Sequence, residues 1–132
     1  MIRPNDDIYF TQDHLWVRFH GAVAYIGLTD FFQTRAGVIM NVSLYSKEGT
    51  IEQFEDFAII DSRRAINRLK MPVAGKFIET NLKVITEPSI INGSPMEDGW
   101  LVKIAIISPP EIFNLMSGME YEIYKEEQSQ TA

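Results

Sequence analysis

Apolar residues in this chain fall in short runs broken by turn residues, a pattern of strands more than of long helices. Leu15-Trp16-Val17-Arg18-Phe19 and Ala22 to Leu28 are rich in aromatic and β-branched side chains. The two residues between them, His20-Gly21, have the length of a tight antiparallel hairpin. Thr29 to Gly37 predicts a helix of about two turns, because Thr29 or Asp30 can cap the free amides and Gly37 can take the left-handed closing conformation. Val38 to Leu44 resumes an extended pattern, Ser46-Lys47-Glu48-Gly49 is a turn, and Phe54 to Ile60 is a further apolar run. Leu69 to Val73 is another such run, Pro72 to Gly75 is a turn in which Gly75 can adopt positive φ, and Lys76 to Thr80 alternates like a half-buried strand.

Asn81 to Gly99 is dense in turn residues and predicts a long surface excursion. Trp100 to Ile107 then returns as a strongly apolar strand that closes the core. Ser108-Pro109-Pro110-Glu111 and Ser117-Gly118-Met119-Glu120 both have the form of capped helix starts. Two short C-terminal helices are expected from them, packing Ile112, Leu115, Met116, Tyr121 and Tyr124 on the sheet, with a frayed tail from Gln128.

Composition narrows the function classes. A chain of 132 residues, 45% hydrophobic, fits a single domain over 1–132, with flexible ends at 1–7 and 128–132, that buries roughly two thirds of its unfolded surface. Eighteen acidic against 12 basic residues argue against nucleic-acid or anionic-membrane binding, which needs a broad cationic face. No apolar run approaches the roughly 20 residues of a membrane span, and Met1 to Asp7 lack the apolar stretch of a secretory signal, so a cytoplasmic protein is expected, with a monomer as the default state. With no cysteine and only His14 and His20 as imidazoles, thiol chemistry is excluded and no metal site is expected. His14, close to Trp16 and expected in the same strand, reads as a packed, hydrogen-bonded histidine, and the six methionines read as core filler. No nucleophile stands beside a base in any recognisable pattern, so the chain is not read as an enzyme.

One segment departs from the acidic background. Asp61-Ser62-Arg63-Arg64-Ala65-Ile66-Asn67-Arg68-Leu69-Lys70 holds four cations and one anion, a net of +3 in a chain of formal charge -6, which leaves -9 elsewhere. Lying between two apolar runs, it is the expected place of contact with a partner, through Asp61, Ser62, Arg63, Arg64 and Arg68, with Arg63, Arg64 and Arg68 meeting any anionic group on it.

Four motifs in order resemble the glycine cleavage system H protein family. They are Thr11-Gln12-Asp13-His14-Leu15-Trp16-Val17 (like T-x-E-H-E-W-V), Ile26 to Gln33 (like I-G-I-T-D-x-A-Q), Pro88 to Trp100 (like the loop ending L-I-N-x-x-P-Y-x-x-G-W) and Ser108-Pro109-Pro110-Glu111. The resemblance spans residues 9–125. It implies a mainly β fold, a flattened antiparallel barrel-sandwich hybrid of lipoyl-domain type, with a short helix after the first hairpin and two short C-terminal helices. It also implies a protruding hairpin that carries a lipoyl-lysine in the pattern E-S-V-K-A-x-S-D.

Here that pattern reads Asp61-Ser62-Arg63-Arg64-Ala65-Ile66-Asn67-Arg68, with Arg64 on the lysine. The family's glutamate between histidine and tryptophan is Leu15, and its acidic residue four beyond the lysine is Arg68. A guanidinium stays protonated and its lone pairs are delocalised, so Arg64 does not accept an acyl group. The expectation is an H-protein-like module without lipoate or any other cofactor. It would bind proteins such as lipoate-attaching enzymes, glycine cleavage subunits or a related redox complex. The alternative is a working lipoyl aminomethyl carrier modified at another lysine such as Lys70, which lies six residues beyond the apex in the returning strand.

Overall fold

The computed structural model describes residues 7–45, 49–107 and 114–130. In chain order the described elements are β1 (Asp7–Phe10), β2 (Leu15–His20), β3 (Val23–Leu28), α1 (Asp30–Ala36), β4 (Ile39–Leu44), β5 (Thr50–Ile51), β6 (Asp56–Ser62), β7 (Ile66–Lys70), β8 (Gly75–Thr80), α2 (Leu82–Thr86), α3 (Ser89–Gly93), β9 (Val102–Ala105) and α4 (Gly118–Gln130). Six strands form one antiparallel sheet in the order β1-β2-β3-β9-β8-β5, and β4-β6-β7 form a second. The architecture is mainly β, a sandwich of antiparallel sheets with short helices, as the sequence leads one to expect.

The side-chain period of two explains why β2 is buried on both faces. Leu15 and Val17 enter the main core with Ala24, Ile26 and Leu28. Trp16, on the opposite face, packs with Phe10 and Tyr121 in a second cluster that α4 closes. Fully burying side chains of this size contributes about 1.5–3 kcal/mol each. Trp16 pairs across the hairpin with Gly27. A Cβ at Gly27 would stand 2.6 Å from the indole, so only glycine fits there. Arg18 is buried on the Trp16 side, its guanidinium 4.8 Å from the centre of the Tyr25 ring.

Helix α1 follows the sequence closely. Thr29 Oγ1 accepts from the Phe32 amide, and Gly37 closes the helix at φ 78° while its amide donates to the Gln33 carbonyl. Ser117 and Glu120 form the reciprocal cap expected before α4, through Ser117 N–H to Glu120 Oε1 at 2.8 Å and Glu120 N–H to Ser117 Oγ at 3.2 Å.

Other expectations are corrected. The stretch 81–99 is not a loop but carries α2 and α3, which bury Val84 and Ile91 in the main core. Asn81 caps α2 and its side-chain amide donates to the Asp98 and Trp100 carbonyls, so the turn residues serve short helices packed on the core. The first hairpin turns at Gly21-Ala22, one residue late, because His20 still pairs with Val23. Gly75 lacks positive φ; a side chain there would strike the Ala105 carbonyl, 2.7 Å from its would-be Cβ. β9 is shorter than expected, and β1 and β5 were not anticipated. His14 lies just before β2 with φ 64°, outside the strand. Met71 fills the core, but Met40 and Met119 are exposed. Helix α4 is longer than expected and runs through Gln130. The expected helix start at Ser108 to Glu111, and Ile112, lie outside the described residues.

Candidate partner-binding hairpin

The basic segment forms a hairpin. Strand β6 is anchored by Phe57, Ala58 and Ile60 in the core, and β7 by Leu69. Arg63-Arg64 form the connection: the Ser62 amide donates to the Ala65 carbonyl at 2.9 Å, and Ser62 Oγ donates to the same oxygen at 3.0 Å. Ser62 is only 4% exposed, so it sits beneath the tip and shapes the turn and does not offer its hydroxyl to a partner. Asp61 is half-buried, whereas Arg63, Arg64 and Arg68 are exposed.

The tip is held against the end of α1. The Arg63 amide donates to the Val38 carbonyl at 2.9 Å and the Arg64 amide to the Ala36 carbonyl at 3.3 Å. Arg64 Nη1 adds a bond to the Arg35 carbonyl at 3.1 Å. Asn92 fixes this receiving segment from the other side. Its Nδ2 donates to the Gly37 carbonyl at 2.9 Å and to Gln33 Oε1, and its Oδ1 accepts from the Ile39 amide at 2.9 Å. Asn92 thus positions the tip without touching it, a role that its place in the Pro88 to Trp100 motif did not disclose.

The hairpin's cations differ in how they are balanced. Lys70 Nζ lies 3.0 Å from Asp56 Oδ1, while Arg68 Nη1 is 4.0 Å from Asp56 Oδ2, so one carboxylate serves both. Exposed pairs of this kind contribute about 0–1 kcal/mol. No ion pair of Arg63 or Arg64 is found among the described residues. Val38, Met40 and Ile66 surround the tip as exposed apolar side chains. The hairpin offers positive charge flanked by hydrophobic surface, a composition suited to protein contact. From Asp56 to Leu69 the hairpin contains no lysine.

A second polar cluster lies beside α4. Tyr121 Oη is 2.8 Å from both Thr29 Oγ1 and His14 Nδ1, and the His14 ring stacks on Phe31 at 4.3 Å. Burial, with help from Arg35 and Lys125 and against the pull of Asp13, lowers the His14 pKa from 6.5 to about 4. Burial likewise pushes the Tyr121 phenol up to about 12, partly offset by the Thr29 hydrogen bond. Both groups are therefore neutral near pH 7. A cleft of about 400 Å³ opens next to them, lined by Phe10, Thr29, Phe31, Met96 and Tyr121 among others. The cluster ties α4 to the start of β2 and to α1. His14 is packed and hydrogen-bonded, as its sequence neighbourhood suggests. Tyr121 was placed correctly as a packing residue, but its hydroxyl's partners lie 92 and 107 positions away and left no local signal.

Among the described residues no group of three or more His, Asp or Glu side chains is placed to hold a metal, and no helix is long and apolar enough to cross a membrane.

The family model for the glycine cleavage H-protein matches residues 8–128. The glycine cleavage system H protein of Halothermothrix orenii is 34% identical over 122 residues, covering 92% of this chain and 95% of that protein. The mitochondrial H protein of Flaveria pringlei is 34% identical over 123 residues, covering 93% of this chain and 76% of that one. In fold, the crystal structure of a glycine cleavage system H protein from Mycobacterium marinum superposes with a TM-score of 0.78 at 22% identity, covering 93% and 97% of the two chains.

Proposed function

Because the chain belongs to the glycine cleavage H-protein family, whose members are carriers and not catalysts, we propose that it is a cytoplasmic, non-lipoylated H-protein-like module that binds partner proteins through the β6–β7 tip. The observation that carries this reading is Arg64 at the hairpin apex, where the family pattern has the lipoyl-lysine. Lipoyl attachment requires a neutral amine whose lone pair attacks an activated acyl carbon, expels the leaving group and loses a proton. A guanidinium has no such lone pair at any pH at which the protein is folded. The apex therefore does not fit the group.

Two further positions support the same reading. Arg68 replaces an acidic residue of the pattern with a cation, which repels a protonated aminomethyl group. Leu15, where the pattern has glutamate, is in the core and offers no carboxylate. Lys70 is a poor substitute acceptor, since it ends β7 and its ammonium is paired with Asp56. Arg63, Arg64 and Arg68, with Asp61 at their base and Ser62 shaping the turn, are the proposed contact set. Lipoate-attaching enzymes, glycine cleavage subunits and related redox complexes are the proposed partners.

Intact mass after co-expression with a lipoate ligase and lipoate tests the reading. The unaltered chain is expected to show no lipoyl gain, and a gain on any side chain overturns the proposal. Arg64→Lys, which restores an amine on the same turn, is expected to gain one lipoyl group.

A further inference from the structure

The two edges of the three-stranded sheet are finished differently. β4 lies against α2 and α3, and the Ile39 amide at its start donates to Asn92. β7 has no strand beside it, among the described residues, on the side away from β6. Its phase follows from the turn. The Ser62 amide bonds to the Ala65 carbonyl, so with strict antiparallel alternation the next hydrogen-bonded pairs are Ile60–Asn67 and Ala58–Leu69. The amides and carbonyls of Ile66 and Arg68 consequently point outward, away from β6.

Side chains add a chemical preference to that open backbone. Alternation puts Ile66, Arg68 and Lys70 on one face, opposite half-buried Asn67 and buried Leu69. The Arg68 and Lys70 side chains are 72% and 55% exposed and share the single carboxylate of Asp56, so this face remains positive. Pairing with the β7 of a second copy would bring like charges together across the new ladder, which is unfavourable. A strand bearing carboxylates has the opposite sign, and the exposed Ile66 favours an apolar residue beside it.

We propose that β7 is a docking edge for an extended acidic segment of a partner protein, which adds to the sheet as a fourth strand. Its backbone pairs with Ile66 and Arg68, its carboxylates lie over Arg68 and Lys70, and an apolar side chain covers Ile66. The inference rests on the hairpin-binding reading above and names the partner's chemistry.

A capped synthetic peptide alternating glutamate and valine, titrated into the full-length chain labelled with nitrogen-15, is the probe. Binding is expected to slow hydrogen exchange at the Ile66 and Arg68 amides by at least about tenfold and to weaken as salt is raised. The same peptide with lysine in place of glutamate is expected not to bind. Arg68→Glu is expected to weaken binding about tenfold or more. Arg68→Pro removes an outward amide while breaking no bond to β6, and is expected to do the same. Should Arg68→Pro fail to fold, Arg68→Glu and the exchange data decide. Failure of the acidic peptide to bind, or binding that leaves exchange at Ile66 and Arg68 unchanged, overturns the added strand. Binding confined to Arg63 and Arg64 overturns the strand while leaving the tip reading intact. A lipoyl gain on the unaltered chain overturns the tip reading itself.

Discussion

The corner where α4 meets β2 and the β6–β7 tip use polar groups in opposite ways. At the corner, His14, Thr29 and Tyr121 satisfy one another within a wall of rings, Phe10 stacking on Tyr121 at 4.5 Å and Phe31 on His14 at 4.3 Å. At the tip, Arg63 and Arg64 donate backbone amides inward to Val38 and Ala36 while their side chains face water. One region spends its chemistry on holding the fold, and the other holds its backbone rigid so that its side chains stay available. Substitutions at the corner should therefore register in stability, and substitutions at the tip in binding.

The largest stability effect should come from Trp16. It is fully buried between the corner's rings and Gly27, and its Nε1 donates to the Pro95 carbonyl at 3.0 Å. Trp16→Ala is expected to destabilise by about 3–5 kcal/mol in urea unfolding, through the lost transfer energy and the cavity left behind. Next comes Tyr121→Phe, which keeps the ring stack but strips the hydroxyl from both Thr29 and His14. A loss of about 1–2 kcal/mol is expected in the same assay, since two partly buried partners lose a hydrogen bond. If Tyr121→Phe proved as stable as the parent, the corner would not be the fastening that its geometry describes.

How much of this was visible in the sequence depended on the range of the interaction. Local features were legible: the Thr29 cap, the Gly37 closure and the Ser117-Glu120 box each involve residues three or four apart. The hairpin was expected from the family resemblance, while charge between two apolar runs marked the segment that forms it. The segment 81–99 misled because Pro88, Asn92, Gly93 and Pro95 look like a loop, whereas two short helices are stabilised there by burying Val84 and Ile91, a tertiary effect that local propensity does not carry. Asn92's bonds to Gly37 and Ile39 and Tyr121's bonds to His14 and Thr29 span more than fifty residues, so neither role left a trace nearby. The open edge of β7 likewise required knowledge of sheet order.

Acid should probe the corner more gently. Because the folded His14 pKa is lowered to about 4 from 6.5, the unfolded chain binds a proton in this interval that the folded chain refuses. The corner's full contribution is thus present above pH 6.5, falls as pH drops from 6.5 to 4, and levels off below. Discounted for the partial exposure of the ring, the expected loss is about 1–2 kcal/mol. His14→Asn retains a residue tolerant of positive φ and removes the titrating group. It is expected to flatten the difference in urea midpoint between pH 7 and pH 4.5 relative to the parent. Asp13, Arg35 and Lys125 remain present in both chains, so their own effects cancel in the comparison. An unchanged pH slope would show that another group carries the acid response.

The smallest stability effect belongs to the tip, and there the contrast between the regions is sharpest. Arg64→Ala deletes the Nη1 bond to the Arg35 carbonyl, a contact in solvent, but leaves the amide bond to Ala36 and the turn closed by Ser62 and Ala65. A charged hydrogen bond exposed to water is replaced by water at little cost, and the truncation exposes no buried group. Stability is therefore expected to change by less than about 0.5 kcal/mol. The same substitution removes a cation from the proposed contact set, so affinity for an acidic partner should fall and its salt dependence should become shallower. A large loss of stability from Arg64→Ala would mean that the arginine at the apex is there to hold the hairpin down, and the case for its being turned outward to a partner would fail with it.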